Sequence, residues 1–136
     1  MSHKIKLVFA DDSVFQQIMI KALVRNIGSY DLLFTCRDGN ELLYELERAL
    51  ILPEICIIDL HMPVMNGVET AKEIKERFPT IKLFGYTSTQ RGEEIDCLKQ
   101  SGVLKVFGKS QPRNMLNEIG LLMNKEMKNL YTMARK

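Results

Sequence analysis

The sequence predicts an α/β fold, a doubly wound five-stranded parallel sheet with helices on both faces. Two observations predict it. Short apolar runs alternate five times with segments whose apolar residues recur at helical spacing. The runs, such as ICII at residues 55–58, are apolar on both strand faces, so helices must cover the sheet above and below. Right-handed crossovers then place ligands at the carboxyl ends of the strands.

The first half of the chain predicts three strands and two helices. Gly28 ends the first helix, and Asp38 with Glu41 forms a capping-box pattern that begins the second, which closes before Pro53. In chain order these elements are a strand at residues 4–10, a helix at 14–27, a strand at 31–36, a helix from 38 to about 50 and a strand at 54–59.

The second half continues the alternation. Asn66 and Gly67 open a helix that Pro79 ends, Gly102 closes the next helix, and Pro112 occupies a favourable first helical position. The predicted elements are a helix at residues 67–78, a strand at 81–86, a helix at 91–101, a strand at 104–108 and a last helix from 112 to beyond 130.

Length and composition limit the function classes. The 136 residues suit one domain, and 46% hydrophobic with 26% charged residues is typical of a globular protein. A net charge of +2 gives no reason to expect direct nucleic-acid binding. The three cysteines lack CxxC spacing, and the apolar run at residues 5–10 is too short for a signal or membrane segment. We therefore expect a cytoplasmic protein with reduced cysteines and no membrane association.

The last predicted helix carries an apolar stripe that is longer than the core of one domain needs. We divide the chain into a domain at residues 1–124 and an extension at 125–136, which is a frayed helix end, a homodimer face or the start of a linker. The stripe comprises Leu116, Ile119, Met123, Met127, Leu130 and Ala134.

Polar residues collect where the predicted strands end. Asp11 and Asp12 follow the first strand, Asp59 ends the third, Thr87 follows the fourth and Lys109 follows the fifth. Any one of them alone would suit a helix cap or a loop charge. Together they converge at one edge of a parallel sheet, which indicates a functional site.

The residue types suit phosphoryl chemistry. Three close carboxylates repel one another and call for a cation, and oxygen ligands favour Mg²⁺. A carboxylate also serves as a nucleophile toward phosphorus. Lys109 then supplies positive charge to the phosphoryl oxygens and Thr87 a hydroxyl donor.

With these residues in order, the chain resembles the receiver domain of two-component response regulators over roughly residues 4–124. The matching segments are LVFADDS, IIDLHMPVMNG, YTS and GK. The segments ADDS, GNELLYEL and ERFPTIK are most similar to receivers of the LuxR/NarL type. The resemblance implies the flavodoxin-like receiver fold with strand order 2-1-3-4-5.

The resemblance also implies a phosphoacceptor and a metal site. Asp59 corresponds to the residue that a sensor histidine kinase phosphorylates from its phosphohistidine. Asp12 and Asp59 are implied as direct Mg²⁺ ligands, with Asp11 acting mostly through water and the His61 backbone carbonyl as a further ligand. The His61 side chain is either a solvent-facing loop residue or a group that places or excludes the attacking water.

Further roles follow from the same resemblance. Lys109 contacts the acceptor and the phosphoryl group, and Thr87 moves inward to bond it, which remodels the switch face. Ser88 occupies a position that the family keeps small, and Pro63 and Gly67 shape the loop after the acceptor.

Two positions depart from the family pattern. Val106 stands where the family often has an aromatic residue that rotates with the threonine, and strand alternation turns Phe107 to the opposite face. Lys109-Ser110 replaces the family's Lys-Pro. These departures leave the route of switching and the geometry of that peptide open.

The expected function is a phosphorylation-controlled switch, and not an enzyme that turns over a separate substrate. It acts on a downstream effector or on an attached output domain that these 136 residues do not contain. One alternative is a Mg²⁺-dependent phosphohydrolase, for which His61 stands where a second acid–base carboxylate is needed. The other is flavodoxin-like cofactor binding, where Asp11 and Asp12 would repel a phosphate.

Overall fold

The computed structural model describes residues 3–134, which form five strands and five helices in strict alternation. The strands are β1 (Ile5–Ala10), β2 (Tyr30–Cys36), β3 (Ile55–Asp59), β4 (Lys82–Thr87) and β5 (Lys105–Gly108). The helices are α1 (Val14–Ile27), α2 (Gly39–Arg48), α3 (Gly67–Arg77), α4 (Gly92–Gln100) and α5 (Pro112–Ala134).

The five strands form one parallel sheet in the order β2-β1-β3-β4-β5. The chain winds from β1 outward to β2, then crosses to β3 and continues to β5. The order reverses between β1 and β3, and their carboxyl ends therefore flank the crevice where doubly wound sheets bind ligands. The predicted fold class and strand order are confirmed.

Alternate residues of the strands supply two separate cores. Helices α1 and α5 pack on one face, where Leu7, Phe9 and Ile57 point, and α2, α3 and α4 cover the other, where Val8 and Ile58 point. All five of these strand residues are fully buried. The continuous apolar runs of the sequence are thus explained, because both faces of the central strands need apolar side chains.

The helix boundaries follow the capping signals. Ser13 Oγ accepts a hydrogen bond from the Gln16 backbone N–H at 3.2 Å, and Gly28 ends α1 in the left-handed region with φ 82°. Asp38 Oδ1 accepts from Glu41 N–H at 2.9 Å. Helix α2 ends at Arg48, two residues before the predicted limit, because Ala49 is already extended with φ −69° and ψ 131°.

The last helix is continuous from Pro112 to Ala134. Met115, Leu116 and Ile119 are buried against the sheet, whereas Met127 and Leu130 are more than half exposed. The helix therefore outruns the core it packs on. Within residues 3–134, no helix is long and apolar enough to span a membrane.

Candidate functional site

The carboxyl ends of β1, β3, β4 and β5 meet along one edge of the sheet. Asp11 follows β1 directly, Asp59 and Thr87 are the last residues of β3 and β4, and Lys109 follows β5 directly. Thr87 was expected just after its strand, but it still pairs with Gly108 in the sheet register. The strand ends therefore hold these side chains on rigid backbone.

Three carboxylates form one cluster at this edge. Asp11, Asp12 and Asp59 each present an oxygen atom, and these oxygens lie within 4.8 Å of one another. Asp11 and Asp59 are buried and Asp12 is exposed. Asp11 Oδ1 accepts a hydrogen bond from Ser13 N–H at 2.9 Å, which fixes the carboxylate at the start of α1.

Lys109 supplies the cation that faces this cluster. Its Nζ lies 2.8 Å from Asp11 Oδ2 and 3.2 Å from Asp59 Oδ1, and it stands 5.4 Å from the centre of the Tyr86 ring. Burial lowers the pKa of the ammonium, but the hydrogen bond and charge of Asp11, with the charge of Asp59, more than reverse this, so the net shift is upward. Lys109 therefore stays charged.

The remaining charge suits a divalent cation. Three carboxylates and one ammonium leave a formal charge of −2 when all four are ionised. Asp11 Oδ2 is buried, and apart from the Lys109 ion pair no described residue offers it an aligned hydrogen-bond donor. An all-oxygen site that is partly open at Asp12 matches the chemistry of Mg²⁺, which retains several waters.

The buried surroundings of Asp59 change the acidity of its carboxyl group. Burial, followed by the charge of Asp11, raises its pKa from 3.8 to about 6, although Lys109 and the His61 N–H oppose the shift. Its Oδ1 lies 3.4 Å from the His61 backbone nitrogen. A desolvated carboxylate at a strand end, beside a fixed cation, is poised as a nucleophile.

The loop after Asp59 is shaped by residues 63–67. Met65 N–H bonds the Pro63 carbonyl at 2.7 Å, with Val64 between them at φ 68°. A Cβ at Gly67 would lie 2.4 Å from the Asp59 carbonyl oxygen and 2.8 Å from Leu60 Cα. Only glycine allows this close return of the chain.

Comparison with known proteins decides the family. The model of the response regulator receiver domain matches residues 7–119. The chain is a member of the response regulator receiver family. The match covers the strand-end carboxylates, Thr87 and Lys109, so the family predicted from the motifs is confirmed.

Relatives and solved structures agree with this assignment. A protein-glutamate methylesterase/protein-glutamine glutaminase of Bacillus subtilis is 32% identical over 97 residues, which are 70% of this chain and 27% of that protein. The chain thus spans about a quarter of this relative. The NarL receiver domain of Mycobacterium tuberculosis superimposes with a TM-score of 0.81 at 19% identity, covering 90% of this chain and 98% of the other.

A second similar structure is the CheX–CheY–BeF₃–Mg²⁺ complex of Borrelia burgdorferi. It has a TM-score of 0.80 at 16% identity and covers 89% of this chain and 90% of that chain. At these identities the two structural likenesses show the receiver fold.

The receiver's threonine is turned toward its own loop. Thr87 is buried, and its Oγ1 accepts a hydrogen bond from Thr89 N–H at 3.1 Å. Ser88, between them, is exposed. In this structure the Thr87 hydroxyl is therefore engaged in a local turn at the end of β4.

Val106, which departs from the family pattern, and its neighbour Phe107 lie on opposite faces of β5. Val106 packs on the α2–α4 side, and Phe107 packs on the α1/α5 side, with its ring centroid 6.1 Å from that of Phe84. The alternation predicted from the sequence is therefore observed. All peptide bonds of residues 3–134 are trans, including Lys109-Ser110.

Two glutamines of α1 support the site and were missed from the sequence. Gln17 donates its side-chain N–H to the Asp11 carbonyl at 2.7 Å and to the Cys36 carbonyl at 3.3 Å. Gln16 Oε1 accepts the Tyr86 hydroxyl at 2.7 Å. The sequence did contain a signal for the Gln16 contact. Tyr86 lies in a strand that is buried on both faces, and a buried hydroxyl needs a hydrogen-bond partner.

Proposed function

We propose that Asp59 is the phosphoacceptor of this receiver and takes a phosphoryl group from the phosphohistidine of a sensor histidine kinase. The observation that carries the proposal is the position of the Asp59 carboxylate. It is buried at the end of β3, 3.2 Å from Lys109 Nζ and within ligand range of Asp11 and Asp12.

The transfer requires little covalent chemistry from the protein. An Asp59 oxygen forms a P–O bond while the P–N bond of phosphohistidine breaks, and the imidazole nitrogen keeps the electron pair. Lys109 faces the oxygens on which charge gathers, and Thr87 supplies a hydroxyl after its segment moves. The domain in this way catalyses its own phosphotransfer and dephosphorylation and turns over no separate substrate.

Magnesium is the proposed cofactor. Asp12 and Asp59 would hold it directly, together with the His61 backbone carbonyl, and Asp11 would act mostly through water. The support is the charge and donor set of the cluster, in which exposed Asp12 is the carboxylate most accessible from solvent. When bound, the cation neutralises phosphoryl oxygens during transfer.

The kinase-docking surface is proposed on the first turns of α1. Val14, Phe15 and Ile18 are 64%, 70% and 61% exposed, and they follow the acidic pair within a few residues. Exposed apolar side chains at helical spacing beside the acceptor suit a helical partner. The kinase helix that carries the phosphohistidine is the partner that must approach this edge.

The output is proposed to be protein interaction through the face formed by α4, β5 and α5. Helix α4 has a single buried residue, Leu98, so it is the element whose position changes at low cost. The recipient is an effector protein or an attached output domain, with homodimerisation through α5 as one form of output.

Phosphorylation of Asp59 is tested by mass spectrometry. The wild-type protein is incubated with acetyl phosphate and Mg²⁺ and should gain one phosphoryl mass, whereas Asp59→Asn should gain none. Asp31→Asn, an exposed carboxylate on β2, is the matched control and should be labelled like wild type. Equal labelling of Asp59→Asn would overturn the assignment.

A further inference from the structure

The loop that follows Asp59 is tied to helix α4 by one ion pair. His61 Nε2 lies 2.7 Å from Glu94 Oε2, in the first turn of α4. Glu94 Oε2 is inaccessible to solvent and has no aligned hydrogen-bond donor among residues 3–134. The nearby imidazole therefore offsets the burial of this oxygen.

Helix α4 has few other attachments near its beginning. Its N-cap residue, Arg91, makes no side-chain capping hydrogen bond, and Leu98 is its one buried residue. Arg91 Nη1 also contacts Glu94 Oε1 at 3.2 Å, but Arg91 is the N-cap residue of α4 itself, so this pair does not reach another element. The His61 contact is thus an ion pair that joins the first turn of α4 to the loop after β3.

The other end of this link touches the acceptor. The backbone nitrogen of His61 lies 3.4 Å from Asp59 Oδ1. The side chain of the same residue reaches Glu94, so His61 contacts both Asp59 and α4. The backbone carbonyl of His61 is the group proposed above as a metal ligand.

We infer that Glu94 is a positioning residue for phosphoryl transfer, because it holds the His61 backbone at Asp59 and couples that backbone to α4. This inference rests on the proposed function. The His61–Glu94 contact would connect Asp59 to the proposed output face. It would do so on the side of the sheet where Val106 replaces the aromatic residue of the family. The packing there is tight, since a Cβ at Gly85 would lie 2.6 Å from Leu98 Cδ2 and 3.3 Å from Val106 Cγ2.

The coupling is first tested without metal, by hydrogen exchange of the Ile95 amide. This amide bonds the Arg91 carbonyl at 3.2 Å and reports the first turn of α4. Glu94→Ala and His61→Ala should each speed its exchange about two- to fivefold, the range expected for loss of a partly exposed pair. Glu93→Ala removes the same charge from the next residue of α4 and should leave the exchange unchanged.

The positioning role is then tested by Mg²⁺ titration followed by NMR and by the rate of phosphorylation from acetyl phosphate. Glu94→Ala should weaken Mg²⁺ binding and slow phosphorylation, each by about two- to fivefold. Glu94→Gln keeps an acceptor oxygen for the imidazole and should restore both values to within about twofold of wild type. Glu93→Ala and Arg91→Ala should behave like wild type.

The double variant His61→Ala/Glu94→Ala decides whether the two residues act together. If they form one link, the double variant should match either single variant in both measurements. Additive effects, or equal effects of Glu93→Ala and Glu94→Ala, would overturn the inference. A wild-type protein that takes no phosphoryl group would overturn the proposed function instead, and the metal-free exchange result would still decide the His61–Glu94 coupling.

Discussion

The Lys109 ammonium lies 3.2 Å from Asp59 Oδ1, yet the net shift of the Asp59 pKa is upward. Burial of the carboxyl and the charge of Asp11 together outweigh the attraction of the lysine. The Asp59 carboxyl is thus costly to ionise in the metal-free protein. Because the negative charge on Asp59 is unfavourable there, binding of a cation that neutralises this charge should be favoured.

Removing the Asp59 charge should stabilise the metal-free protein at pH 7. The pKa of Asp59 is about 6 against an ordinary 3.8, so between these values the folded state holds a proton that the unfolded state has lost. The free energy of unfolding therefore falls as pH rises through this window. Asp59→Asn should be more stable than wild type by about 1–3 kcal/mol at pH 7, and this difference should vanish below about pH 4.

Urea denaturation in EDTA, at pH 7 and again below about pH 4, measures the difference in the free energy of unfolding between Asp59→Asn and wild type. Asp31→Asn is the control, because its carboxylate is exposed, and it should stay within about 0.5 kcal/mol of wild type at both. A difference between Asp59→Asn and wild type that is independent of pH would show that ionisation of Asp59 is not its source.

Asp12 and Asp11 should differ in their importance for Mg²⁺. Asp12→Ala removes a proposed direct ligand, and even residues that only orient a metal ligand cost about 10- to 100-fold in affinity. Asp11→Ala should weaken binding less. It should lower the free energy of unfolding more, because it leaves the Ser13 N–H without its acceptor and Lys109 without its closer carboxylate.

Calorimetric titration with Mg²⁺ and urea denaturation separate the two effects. Unchanged Mg²⁺ affinity in both variants would mean that the acidic cluster is not the metal site. A greater loss of affinity for Asp11→Ala than for Asp12→Ala would reverse the assigned roles of the two carboxylates.

The strand-end residues were predictable because the sheet fixes them. Asp59 directly follows an apolar run, so the end of β3 alone determines its position, and Lys109 follows β5 in the same way. The alternation of Val106 and Phe107 follows from strand geometry.

The side-chain contacts around the site were not predictable in the same way. Glu94 lies in α4 and His61 in the loop after β3, and their contact depends on how α4 packs on the core through Leu98. Likewise the Tyr86–Gln16 hydrogen bond joins residues 70 positions apart in the chain. Such pairs depend on packing between elements, which periodicity and capping signals do not encode.

Replacing Gly67 should destabilise the receiver. In Gly67→Ala the new Cβ would lie 2.4 Å from the Asp59 carbonyl oxygen, a backbone atom that cannot move without displacing the acceptor. We expect a loss of about 2–4 kcal/mol in the free energy of unfolding, together with slower phosphorylation. Gly92→Ala is the matched control, because a Cβ there meets nothing within 4 Å and Gly92 also begins a helix.

Denaturant unfolding of both variants gives the comparison. Gly92→Ala should change the free energy of unfolding by less than about 1 kcal/mol. Equal stability of the two variants would mean that the loop after Asp59 relaxes without cost, and that its close return over β3 is not needed for folding.

The extension of α5 beyond residue 124 should mediate association. The apolar stripe continues from buried Ile119 to Met127 and Leu130, which are 54% and 57% exposed. Exposed apolar residues that continue a buried face favour a partner surface, here a second copy of the chain. Truncation after Asn124 should leave phosphorylation intact and lower the dimer fraction in sedimentation, with and without beryllofluoride as a phosphoryl mimic.

Point variants show whether association depends on the apolar stripe itself or only on the length of α5. Leu130→Glu should lower the dimer fraction as the truncation does, because it places a charge within the proposed contact. Leu121→Glu is the control, since Leu121 is 70% exposed and lies nine residues away, half a turn round the helix from Leu130. If the full-length and truncated proteins are both monomeric in either state, the stripe has no partner in a second copy, and association through α5 is excluded.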